Sequence, residues 1–284
     1  ILDFSASLSV SRRVALLEGN SDRVSGFISP NGRFFILLVQ NKTFVPRLDD
    51  LNAQFAAAAA NDLRLDGIFV DGDAKIYYAG SCRDASVQLS QDIVAAFAAV
   101  GSNWIKQNVE HLKPGIFVWR LSLDSFAIEH FTIPVYEVIS QVSRGWNIRL
   151  STNVIIMMRD WREQRLPNET GGVLLGTVDI LHRIIHIVDL LPSPSDSTEW
   201  PAPYIRGTAN LSAQIEHKHK SSGGDIRYIG EWHSHPRGSS NQPSATDLEA
   251  HQYILDQMAA EGLPGIVLVQ GDEPSPYILA DFKL

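Results

Sequence analysis

Short apolar runs of strand length alternate with longer runs of helical spacing through the first half of this chain, and few folds accept that order. RFFILLVQ at 33–40 is an apolar run of strand length. LDDLNAQFAAAAANDLRL at 48–65 is rich in alanine and long enough for a helix. DGIFVDGDAKIYYAG at 66–80 predicts two strands around a Gly-Asp turn. VQLSQDIVAAFAAVGSNWIKQ at 87–107 is apolar at helical spacing, and FVWRLSLDSFAIEHFTI at 117–133 is strand-rich. The alternation predicts an α/β layer over residues 1–140, with a boundary somewhere in 134–148.

The second region, 145–284, carries the same kind of pattern. NVIIMMRDWREQR at 153–165 predicts a helix that ends at Pro167 and Asn168. ETGGVLLGTVD at 169–179 and LHRIIHIVDLL at 181–191 predict two strands across a turn at Val178 to Ile180. LPSPSDSTEWPAP at 191–203 is loop by composition, NLSAQIEHKHK at 210–220 predicts a helix, and SSGGD at 221–225 a turn. IRYIGEWHSHP at 226–236 reads as a strand, and TDLEAHQYILDQMAAEG at 246–262 as a helix stopped by Gly262. PGIVLVQGDEPSPYILADFKL at 264–284 reads as two strands around an acidic turn.

Composition narrows the function classes. A net charge of −8 argues against a general nucleic-acid binder and against an anionic membrane surface. No apolar run of bilayer-spanning length is present, so no membrane partner is expected. Cys82 is the only cysteine, which excludes an intramolecular disulfide and a Cys-rich zinc cluster and fits a reducing cytoplasmic setting. The chain begins at Ile1 without a methionine or a signal segment, which fits a piece of a longer protein.

One stretch carries chemistry: EWHSHPRGSSNQPSATD at 231–247. At i and i+2 on a strand, His233 and His235 point to one face and can supply two corners of a tetrahedral metal site. A carboxylate is the usual third ligand, and Asp247 is the candidate. An H-x-H pair also arises by chance, and Ser244-x-x-Asp247 is equally a helix-capping box. Upstream, Glu169 heads ETGGVLLG, where Gly171 and Gly172 allow close approach of backbone or ligand. Glu169 is either a solvent-facing strand end or a general base.

Other hydrolase signatures are missing: there is no H-E-x-x-H, no G-x-S-x-G, no G-x-G-x-x-G and no P-loop. With one cysteine the ligand set of a nucleobase deaminase is also excluded. The second H-x-H pair, His217 and His219, sits on an expected exposed helix, where side chains at i and i+2 diverge. His182 and His186 lie in an apolar strand and read as core or edge histidines, Cys82 as incidental and Trp232 as packing.

Glu169 in ETGGVLLG, HSHP at 233–236, seven further residues and then Ser244-x-x-Asp247 together resemble the JAMM motif of the JAB/MPN metalloproteases. The resemblance covers about 145–284, and GEWHSHP looks like the bacterial branch, whose domains accompany ubiquitin-like conjugation operons. It implies a curved mixed sheet flanked by helices, and Zn²⁺ held by His233, His235 and Asp247. It also implies Glu169 as acid and base, and Ser244 as donor to the oxyanion. The implied activity is a zinc isopeptidase or peptidase acting behind the tail of ubiquitin or a bacterial ubiquitin-like protein. Its partners would be that protein, its conjugates, and the activating and conjugating enzymes of the same operon. The alternative is a non-catalytic MPN scaffold, which the complete ligand set argues against. Loop 191–204, with Trp200 and Tyr204, and the SSGGD turn are candidates for the walls of the substrate groove. More weakly, residues 77–106 resemble the closing segment of ThiF-type ubiquitin-activating adenylation domains, without their glycine-rich phosphate loop.

Overall fold

The structure is a computed structural model that describes residues 1–283 apart from 6, 20, 43–44, 70–75, 79–84 and 88. Cys82 and the Gly-Asp turn expected within 66–80, at 72–73, therefore lie outside the described residues. The chain divides into two compact units, residues 1–137 with 220–223, and residues 138–219 with 224–284.

In the first unit the strands are β1 (Leu2–Asp3), β2 (Arg23–Ile28), β3 (Phe34–Gln40), β4 (Ile76–Tyr78), β5 (Ala85–Val87), β6 (Gly115–Leu121) and β7 (Ile128–Ile133). Its helices are α1 (Leu8–Ala15), α2 (Leu48–Ala59) and α3 (Gln91–Asn108). Five of the strands form one sheet in the order β1-β2-β3-β6-β7, and β4 pairs with β5 separately. Alternation along β3 explains the layers. Phe34, Ile36 and Leu38 face α2 with Leu48, Leu51 and Phe55. Phe35, Leu37 and Val39 face the other way, onto Phe97 of α3 and Trp119 of β6. A strand buried on both faces has to read as the continuous apolar run seen in the sequence.

The second unit contains β8 (Val138–Ser143), β9 (Trp146–Ser151), α4 (Thr152–Arg165), β10 (Gly171–Asp179), β11 (Ile184–Leu191), β12 (Thr198–Glu199) and β13 (Tyr204–Ile205). It continues with α5 (Leu211–Ser221), β14 (Arg227–Ser234), α6 (Ala245–Ala259), β15 (Gly265–Gln270) and β16 (Tyr277–Asp281). The seven-stranded sheet runs β16-β15-β14-β10-β11-β9-β8. It is mixed: β14 with β15 and β11 with β9 are parallel, whereas β10 is antiparallel to both its neighbours. It also curls. Gln141 on β8 donates to the Ile278 carbonyl at 3.4 Å, and Ser143 to the Ala280 carbonyl at 2.8 Å, so the two edge strands meet through side chains. One face packs on α4 through Val154, Ile155 and Met158. The other packs on α6 through Ile254 and Met258 over Val267 and Val269.

Three local expectations shift. Segment 66–69 is a turn after a 3-10 helix at Leu63–Leu65, not a strand, and it buries Ile68 in the core of the first unit. The turn between β10 and β11 falls at 180–183, because the Asp179 carboxylate holds the His182 backbone N–H at 3.1 Å and its Nδ1 at 2.8 Å. His182 is thus a turn residue, whereas His186 is buried in β11 beside Thr177. A hairpin, β8–β9, precedes the helix at which the second region was expected to open.

Candidate metal centre

The alternation of β14 sets the site. Trp232 turns to the α4 face, where it is fully buried and donates from Nε1 to the Leu191 carbonyl at 3.2 Å. His233 and His235 therefore turn to the α6 face, with ring centroids 5.3 Å apart. Neighbouring backbone fixes both. His233 pairs with Gly171 of β10 and Val269 of β15, and the His235 N–H donates to the Gln270 carbonyl at 2.9 Å.

Asp247 reaches the same point from the first turn of α6. Ser244 is the N-cap, and the capping box expected from the sequence is present. The Ser244 N–H donates to Asp247 Oδ2 at 2.6 Å, and the Asp247 N–H donates to Ser244 Oγ at 3.3 Å. The same carboxylate then faces both imidazoles: Oδ1 lies 3.0 Å from His233 Nε2 and Oδ2 lies 3.2 Å from His235 Nε2. Capping and convergence on the histidines are thus properties of one side chain.

The chemistry of these atoms fits a cation. His235 Nδ1 lies 2.7 Å from the Ser240 carbonyl, which can only accept, so Nδ1 carries the hydrogen. In the neutral ring Nε2 is then a lone pair, and it points at a carboxylate oxygen. His233 Nε2 is buried and makes no hydrogen bond, although the Asp247 oxygen is near. The possible ligand atoms of the three residues lie within 4.8 Å of one another, and a cation between them would satisfy all three. Burial pushes the Asp247 carboxyl up, but the adjoining imidazoles and the Ser244 N–H outweigh it and hold the group well below the usual carboxylate range. The Asp247 hydrogen bond pushes His235 up, against the opposing effect of burial. Two imidazoles and one carboxylate with an open position is a donor set that suits zinc.

The three residues line a cleft of about 530 Å³ together with Glu169, Tyr204 and Ser244. Glu169 lies just before β10. The Ser234 N–H donates to the Thr170 carbonyl at 2.7 Å, which carries the β10–β14 pairing past the strand ends and brings Glu169 toward the histidines. Loop 200–204 clips Glu169 at two points: its own N–H donates to the Trp200 carbonyl at 2.9 Å, and its Oε2 accepts from the Tyr204 N–H at 3.1 Å. Burial raises the Glu169 carboxyl above the ordinary range, opposed by His233 and His235. Close approach at the glycine pair comes from the protein itself. A Cβ on Gly171 would meet the Trp232 carbonyl and the Tyr204 ring, and one on Gly172 would lie 2.0 Å from the Leu191 carbonyl.

Of the residues named from sequence, His233, His235, Asp247, Glu169, Ser244 and Tyr204 line one cleft. Trp200 does not: its side chain is 63% exposed, and it meets the site only through its carbonyl. His217 and His219 lie on α5, where His219 Nδ1 is 2.8 Å from the Ile226 carbonyl. The backbone supports from Ser240, Gln270 and Trp200 carry no residue-type signal, and only the topology reveals them.

Residues 151–280 match the family model described as prokaryotic homologs of the JAB domain. A protein of Enterobacter hormaechei subsp. hoffmannii named "CD-NTase/cGAS isopeptidase" is 30% identical over 108 residues, which cover 38% of this chain and 58% of that protein. The match thus spans little more than half the length of that relative. A solution structure of a Desulfitobacterium hafniense protein aligns at 21% identity with a TM-score of 0.31, over 47% of this chain and 82% of that one. For a Salinibacter ruber protein the values are 18% and 0.28, over 48% and 81%. Over residues 151–280 the chain is thus similar to prokaryotic homologs of the JAB domain.

Proposed function

We propose that this domain is a zinc-dependent isopeptidase or peptidase that cuts behind the C-terminal tail of a ubiquitin-like protein, in deconjugation or precursor processing. The observation that carries the reading is the convergence of His233 Nε2, His235 Nε2 and the Asp247 carboxylate in a cleft also lined by Glu169. Bound there, zinc would supply a Lewis acid and lower the pKa of water toward about 7.

The chain's own groups divide the remaining work. Glu169, held through Oε2 by the Tyr204 N–H, takes a proton from the attacking water and passes it to the leaving amine. The water oxygen bonds to the acyl carbon, the C–N bond breaks, and the products are a carboxylate and an amine. Ser244 Oγ accepts from the Asp247 N–H, which leaves its hydroxyl hydrogen free to donate to the oxyanion. Tyr204 and neighbouring residues wall the cleft, and an extended tail beside β12 and β13 would bind as an added strand. The isopeptidase name of the Enterobacter relative supports an isopeptide bond as the target, and with it a setting among activating and conjugating enzymes.

The test is cleavage of a ubiquitin-like protein extended or conjugated at its C-terminus, read by mass spectrometry. Zinc-loaded protein is expected to cut behind the tail, lose activity in chelator and regain it on zinc addition. Cleavage that chelator leaves untouched contradicts the reading. A protein that binds the ubiquitin-like partner but never cuts it supports the scaffold alternative instead.

A further inference from the structure

Arg162, near the end of α4, is 5% exposed, and its guanidinium is committed to the chain that follows a metal-site histidine. Its Nε donates to the carbonyl of His235 at 2.7 Å. Its Nη2 donates to the carbonyl of Pro236 at 3.0 Å and to Asp272 Oδ1 at 2.5 Å. The other oxygen of Asp272 accepts the Gly238 N–H at 2.7 Å, so one ion pair grips the 235–238 turn on both sides. The next residue of the acidic turn continues the support, because the Glu273 carboxylate accepts the Asn241 N–H at 2.9 Å and the Ser240 hydroxyl at 3.1 Å. The turn so held returns the Ser240 carbonyl to His235 Nδ1 at 2.7 Å, the contact that selects the ring tautomer.

We propose that Arg162 is a positioning residue for the metal centre: with Asp272 it templates the 235–240 turn and so orients His235 and fixes its tautomer. The inference rests on the zinc reading of the site given above. The chemistry favours arginine, because a planar fork can serve two consecutive carbonyls and a carboxylate at once, whereas a lysine ammonium is a point donor. Groups that orient a ligating imidazole affect metal affinity without touching the metal.

The experiment is competitive titration of the metal-free full chain with Zn²⁺ against a chromophoric chelator, with circular dichroism as the check of folding. Arg162→Ala is expected to weaken zinc binding by about 10- to 100-fold. Arg162→Lys is expected to recover part of that loss, and it carries the test if the alanine variant does not fold. Met158→Ala truncates a fully buried core residue on the same helix and controls for general destabilisation. It is expected to lower stability and leave zinc affinity at the wild-type value. Wild-type affinity in a folded Arg162 variant overturns the inference and leaves the proposed function standing. An equal loss in Met158→Ala overturns it too, because the effect is then one of packing. A wild-type protein that takes up no zinc overturns the proposed function and this inference together.

Discussion

Glu169→Gln is expected to leave zinc in place and to lower kcat by about 10²- to 10⁴-fold, the usual contribution of a positioned acid and base. The substitution is close to isosteric. Glutamine keeps a carbonyl oxygen for the Tyr204 N–H, and the backbone bond from residue 169 to the Trp200 carbonyl is untouched. What disappears is basicity alone. Burial already raises this carboxyl toward the range useful to a base, and a neutral amide removes that property while the cleft keeps its shape. Single-turnover cleavage together with metal analysis checks the result. Full activity in the variant means that the proton is taken by another group.

Asp247→Asn separates the two roles of one carboxylate. If the side chain were only a cap, asparagine would serve almost as well. Its oxygen can still accept the Ser244 N–H, and the stability change would stay within about 1 kcal/mol. If it is also a ligand, the loss of charge removes one of three protein donors, and the remaining two imidazoles hold zinc poorly. The expected outcome is a folded protein with an unchanged helix, little retained zinc and background cleavage. Zinc content and activity at wild-type levels would return Asp247 to the capping role alone.

Much of the domain was legible because its elements carry strong periodic signals. β3 is buried on both faces and reads as an unbroken apolar run. α6 is capped by Ser244 and ends at Ala259, shortly before Gly262, whose φ of 70° is the left-handed geometry that favours glycine. The candidate ligands were legible because His-x-His at a strand end and an acidic helix start each have a local pattern, and Glu169 because it heads a buried strand. Other features depend on residues far away in sequence. β8 is an exposed edge strand of mixed composition, closed only by side chains reaching β16, and no window on VISQVS reports that. The run GIF at 67–69 has the apolarity of a strand but packs as a turn, an ambiguity inherent in short apolar runs. In DWREQR, Arg162 reads as one charge among several on a solvated helix face. Its burial arises only when the 235–238 turn and Asp272 close over it.

The metal centre is tested most simply by the zinc content of the purified chain after metal removal and reconstitution. About one zinc per chain is expected, lost when His233, His235 or Asp247 is replaced. A folded chain that takes up no zinc, or that binds it equally well without those three side chains, would contradict the zinc reading.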